Sequence, residues 1–227
     1  APTLTYPPMA TLSALTVDWP HAAARGGVVA VALAIWFLTQ KLIATKEVPG
    51  EGIGDRVHQA TARWHAFFVA HPRATNVCLG LSSFFIDLIG LALIGVSVFG
   101  GTFAPFLAVM LVFALRQASQ YACSLPRPPG VLWHDPGFPT LLVTYKVSND
   151  FFFSGHTAMA VLGAAEAVRM APPWLAWAAV VVAAGEALLV LVLRAHWTMD
   201  VITGILAAIL ASDLGHRLAP ALDAWMR

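Results

Sequence analysis

The sequence predicts an all-α, polytopic membrane protein with six transmembrane helices. Three observations predict it. The 227 residues are 59% hydrophobic and only 11% charged, where soluble domains carry roughly 25% charged residues. Six apolar stretches approach the ~20 residues that a helix needs to cross a bilayer. Turns rich in Gly and Pro, such as "GGTFAP" and "APPW", separate those stretches. The formal net charge of +1 gives no reason to expect a nucleic-acid partner. Cys78 and Cys123 lie in or near apolar runs and form no disulfide framework. The first 25 residues hold prolines, Asp18 and His21 rather than a basic start and an apolar run, so no cleavable signal is expected.

The elements follow in order, within one membrane-embedded domain. An N-terminal segment, 1–26, precedes a first span at Gly27–Ala44, closed by Lys41 and Lys46. After a Gly-rich, acidic turn from Pro49 to Asp55, "DRVHQATARWHAFFVAH" mixes charge and aromatics at helical spacing, as in a helix lying at the membrane interface. That first span and interfacial helix occupy 27–73, and a five-span catalytic core occupies 74–227. Its spans are expected at Ala74–Phe99, Phe103–Gln120, Ser154–Met170, Leu175–Leu193 and Val201–Leu214. Between the second and third of these lies a long polar segment too rich in proline for a helix. The cations on the loop side outnumber those on the side of the termini, and the positive-inside rule then places the loop side in the cytoplasm.

The chemistry concentrates on that loop side. In "DFFFSGHTAM", Ser154 is placed to cap a helix, its hydroxyl accepting from a backbone N–H one turn on. Gly155 and His156 then fall in the first turn, where free N–H groups and the helix dipole favour an anion. In "LRAHWTMDVITG", Asp200 follows His196 by four residues, which puts both side chains on one helix face. A carboxylate holding one imidazole nitrogen leaves the other free as base or nucleophile. Arg194 and Arg116 stand at the same level, with forked donors that fit phosphate oxygens. Two histidines, a carboxylate, two arginines and a helix N-terminus describe a phosphoryl-transfer site. The same arginines argue against a metal cation at His156, His196 and Asp200, and no cofactor is expected.

These residues carry a resemblance. "SGH" followed by "HxxxD" resembles the lipid phosphate phosphatase superfamily, whose members share a six-helix membrane core. The histidine motif is closer to the transferase branch, the sphingomyelin synthases and the plant phosphatidylcholine:diacylglycerol cholinephosphotransferases, which read "FFSGH" or "YSGHT" rather than "PSGH". "LRQASQYACSLPRPPG" is similar to a transferase motif through Arg116, Tyr121, Leu125 and Pro126, and "RAHWTMD" is similar to "RGHYTID". The likeness runs from about Leu115 to Leu214. It implies a double displacement in which His196, oriented by Asp200, attacks phosphorus to form a phosphohistidine. His156 protonates the departing alcohol and then deprotonates the incoming one, and Arg116, Tyr121 and Arg194 hold the substrate. The implied partners are a phospholipid donor, most simply phosphatidylcholine, and a lipid alcohol acceptor such as diacylglycerol.

Departures from the superfamily's phosphatases point the same way. Those enzymes carry a lysine where this chain has Gln120, and an arginine where it has Val190. The alternative remains a lipid phosphate phosphatase acting on phosphatidic acid or related lipids. A third reading, a lipid-binding scaffold, sits poorly with retention of His156, His196 and Asp200 together. Two intramembrane acids are left open. Asp87, about 20 Å below the loop-side start of its span, and Glu186, about 15 Å below His196 at ~1.5 Å per residue, either line a substrate chamber or are protonated and bonded across helices. His58, His65, His71 and His134 are read as interface or loop residues.

Overall fold

The computed structural model describes residues 53–123, 125–141, 143 and 152–225. The span expected at Gly27–Ala44 lies outside them. All described residues fall in the compact unit Glu51–Arg227. Among them are seven helices and no strand: α1 Arg56–Ala60, α2 Ala62–Ala70, α3 Pro72–Phe99, α4 Ala104–Ala122, α5 Gly155–Met170, α6 Pro173–Val192 and α7 Thr198–Trp225.

The last five correspond to the five core spans. Three of them, α3, α6 and α7, are long and apolar enough to cross a membrane by length and composition. The six-span count is therefore not reached among the described residues. The reason lies in α4 and α5. The second half of α4 carries Arg116, Gln117 and Gln120. α5 has 16 residues, about 24 Å at ~1.5 Å per residue, and carries Glu166 and Arg169. α5 is instead a central element, packed on α6 and α7, while α4 lies against α7. The core follows, with Ala108, Val112, Ala158, Leu162, Ala208 and Ala211 at the contacts.

The interfacial stretch is broken in two at Thr61, where the backbone leaves helical angles (φ −91, ψ 6) while the hydroxyl donates to Val57 O at 2.7 Å. The proline-rich connection after α4 does more than cross the surface. His134 meets Asn76 Oδ1 at 2.8 Å, near the start of α3. Seven residues later Leu141 N donates to Asp87 Oδ2 at 2.8 Å. Asp87 lies about 22 Å along α3 from Pro72 at ~1.5 Å per residue, so the segment runs down the side of α3 into the bundle. Val143, 6% exposed, reaches the core there.

Candidate active site

Two joints bring the loop-side residues together. The first is at the start of α5. Ser154 is its N-cap, as expected, accepting from Thr157 N at 3.4 Å and donating to Thr157 Oγ1 at 2.9 Å. Its own N–H donates to Asp200 O at 3.1 Å, tying the first turn of α5 to the first turn of α7. Gly204 permits this approach: a Cβ there would stand 2.8 Å from Ser154 O. The chain enters the joint through Phe153, buried and held at φ 76, a left-handed conformation that non-glycine residues rarely adopt.

The second joint is the turn from α6 to α7. Ala195 N donates to Val190 O at 2.8 Å and Arg194 N to Leu191 O at 3.1 Å. This is the Schellman pattern, which usually places glycine at the left-handed position. Here Arg194 occupies it, at φ 55. The strain is of order 1–3 kcal/mol for a non-glycine residue, and it aims the guanidinium back toward the bundle, where Nη1 donates to Pro129 O at 3.1 Å.

Asp200 differs in detail from expectation. His196 and Trp197 precede α7, so His196 and Asp200 do not share a helix face. Asp200 instead reaches back as half of a capping box, Oδ2 accepting from Trp197 N at 2.9 Å. The same oxygen lies 3.6 Å from His196 Nδ1, an ion-pair distance too long for a hydrogen bond. Asp200 is fully buried.

Around this pair, His156 Nε2, Arg194 Nε and Asp200 Oδ1 are buried without a hydrogen-bond partner among the described residues. A buried, unsatisfied donor or acceptor costs about 1–3 kcal/mol, and three of them lie on residues that the two joints hold. Trp133 packs edge-on against His156, ring centroids 4.8 Å apart. Arg116 lies over Gly155, where a Cβ would come within 3.1 Å of its Nε. His196 and Arg116 are close enough to act on His156 electrostatically.

The remaining expected residues are elsewhere. Tyr121 ends α4 and is 97% exposed, away from the histidines. Glu186 is buried between helices, its Oε2 accepting from Ser82 Oγ of α3 at 2.7 Å, the cross-helix bond that was one of its two readings. Asp87 holds the inward-running segment through Leu141 N. Trp197 is buried against His58, with ring centroids 5.3 Å apart.

Two histidines read as interface residues turn out to adjoin the site. His58 Nε2 bonds to His196 O at 3.0 Å, and His65 Nδ1 to Val192 O at 2.9 Å. Asp55 joins them: it caps α1 and also accepts from Thr198 N at 2.7 Å and Thr198 Oγ1 at 2.8 Å. Burial pushes the His58 imidazole below its ordinary 6.5 despite the pull of Asp55, so it is neutral at pH 7. Burial would raise Asp55, but hydrogen bonds from Thr198 and the His58 N–H outweigh it and hold the carboxyl below its usual 3.8. The signals were present: Asp before a helical run is an N-cap signature, and His58 and His65, seven apart, repeat on one helix face.

The helical fold and the match to a family model place the chain in the lipid phosphate phosphatase superfamily, in its transferase branch. More particularly, the AtPDCT1/2 family model matches residues 55–217, and the chain belongs to that family. It is a lipid phosphotransferase of the phosphatidylcholine:diacylglycerol cholinephosphotransferase kind. The fold is similar to that of Aquifex aeolicus LpxE, with a TM-score of 0.50 and 20% identity over 65% of this chain and 87% of that one. No curated protein matches.

Proposed function

We propose that this chain transfers phosphocholine from phosphatidylcholine to diacylglycerol, or a similar lipid alcohol, by double displacement on His196. The observation that carries the proposal is the cluster of buried, unsatisfied polar atoms on His156, Arg194 and Asp200, gathered by the Ser154–Asp200 joint. With Nδ1 turned to Asp200, Nε2 of His196 is the nucleophile. Its attack forms the N–P bond and breaks the bond to the diacylglycerol oxygen, which takes a proton from His156. His156 then removes the proton of the acceptor hydroxyl as that oxygen displaces His196 from phosphorus. Arg194, Arg116 and the first N–H groups of α5 balance charge on the non-reacting phosphoryl oxygens.

The six-span topology belongs to the same proposal, with α4 and α5 crossing inside the bundle and the span at Gly27–Ala44 completing the count. A diester headgroup carries one negative charge. It suits a site without the lysine and distal arginine that a phosphate dianion calls for, at Gln120 and Val190. The test follows headgroup-labelled phosphatidylcholine with unlabelled diacylglycerol and purified protein. Label should appear in new phosphatidylcholine faster than free phosphocholine or phosphate, with ping-pong kinetics, and His196→Ala should show no transfer. Rapid phosphate release from phosphatidic acid without headgroup exchange would replace the transferase with the phosphatase.

A further inference from the structure

The turn that carries Arg194 and His196 has its backbone carbonyls assigned one by one. Within the turn, Leu189 O, Val190 O and Leu191 O accept from Leu193, Ala195 and Arg194. Three further bonds come from outside. Leu132 N donates to Leu193 O at 2.9 Å. His65 Nδ1 donates to Val192 O and His58 Nε2 to His196 O. A carbonyl can only accept, so the facing ring nitrogen must carry a proton, which requires the Nδ1–H form of His65 and the Nε2–H form of His58. Neither donor needs a positive charge, which suits a neutral His58. At the far end of the turn, Asp55 takes both donors of Thr198, the first residue of α7. The His58 ring also stacks on Trp197. α1 and α2 thus touch the turn on both sides of Arg194 and His196, while the turn itself is strained at Arg194 and would relax if released.

We propose that α1 and α2 form a clamp on the nucleophile turn, with Asp55, His58 and His65 as positioning residues for the transfer reaction. The clamp holds the left-handed Arg194 and the His196 backbone in the productive register, so its loss moves His196 relative to phosphorus without removing any group that meets substrate. A displacement of about 1 Å at a reacting group can cost on the order of 10²-fold in rate. The proposal rests on His196 as nucleophile, and the test separates the two.

His58→Leu and His65→Leu remove the donors, while His58→Gln and His65→Asn restore an N–H near the lost Nε2 or Nδ1 position. Thr198→Val removes one hydroxyl from Asp55 with little change of shape, as a variant that retains the fold. Each is measured in detergent for kcat and KM toward both lipids, and for amide hydrogen exchange across 193–200. Expected in the leucine variants is a kcat lower by on the order of 10²-fold, with KM changed less than about threefold for a group that touches neither lipid. Exchange should be faster in 193–200 alone, and Gln or Asn should recover kcat to within about tenfold if the donor is what matters. Thr198→Val should move both readouts the same way, less far. Unchanged kcat with the donors removed, or faster exchange spread over the whole bundle, overturns the clamp. If His196→Ala kept its turnover, the nucleophile assignment would fall, while the local exchange response would still report on the clamp.

Discussion

At the scale of single residues, Arg194 holds a left-handed backbone conformation in the turn before α7. A left-handed non-glycine residue costs roughly 1–2 kcal/mol, and the Schellman turn would accept glycine at no such cost. Arg194→Gly should relieve that strain while losing the bond to Pro129 O, worth about 1 kcal/mol. The two nearly cancel, so the melting temperature should move little. Turnover should fall steeply all the same, because the guanidinium, with its buried unsatisfied Nε, is lost. Thermal melts and headgroup-transfer assays on one preparation check this. A large loss of stability would show that Arg194 is held there for the fold rather than for substrate.

Single elements carry the next two expectations. The segment beside α3 is irregular backbone, and at Leu141, which is itself exposed, its N–H finds a partner on the helix. Asp87 is that partner. Asp87→Asn keeps an acceptor and should retain most stability and activity. Asp87→Leu removes the acceptor of an exposed hydrogen bond and should cost no more than about 1 kcal/mol, read by thermal denaturation in detergent. A variant pair with equal, normal stability and altered headgroup preference would return Asp87 to the substrate chamber. The docking of α1 responds to acid. His58 and Asp55 both titrate below their ordinary values when folded, so each adds stability above its unfolded pKa and loses it as pH falls through the folded one. Docking should therefore weaken below about pH 6.5 through His58 and further below about pH 3.8 through Asp55. Raising the pH from 7 to 9 should leave these two contributions unchanged. Hydrogen exchange of 193–200 against pH checks the sign, and a loss on the alkaline side alone would contradict it.

Across the whole molecule, polar chemistry is split between two ends of one helix. α5 begins with His156 and ends near a second buried cluster, where Glu166 accepts from Ser212 Oγ at 2.6 Å and bonds to His216 Nε2 at 2.8 Å. Glu166 is 2% exposed, and both of its oxygens are occupied. The Arg217–Asp213 ion pair, 2.8 Å and largely exposed, lies one residue from each of those partners and adds little. This end joins α5 to α7 through Glu166, Ser212 and His216. Ser212→Ala should lower stability by about 1–3 kcal/mol and leave kcat at moderate temperature unchanged. Loss of turnover in a variant that is still folded would connect the far end to the chemistry.

The sequence alone determined the helical membrane class, the family, and four of the five core helices to within a few residues; the fifth was expected to end at Leu214, where α7 runs on to Trp225. Apolar runs and Gly/Pro punctuation are local signals, and so is a serine that caps the helix it precedes. His156, His196 and Asp200 were legible because motif spacing survives in one dimension. The helical character of 56–70 is legible too, but its histidines read in sequence only as interface or loop residues. Their partners, Val192 O and His196 O, are 127 and 138 positions away, and a backbone carbonyl leaves no mark in sequence. The same reason misplaced the reach of Asp200, which spends one oxygen on capping α7, and left Asp87 and Glu186 undecided until Leu141 and Ser82 were seen beside them. Which residues possess chemistry is written along the chain; which hydrogen bonds hold them in register was decided only by the packing of α1, α2, α5 and α7 at one end of the bundle.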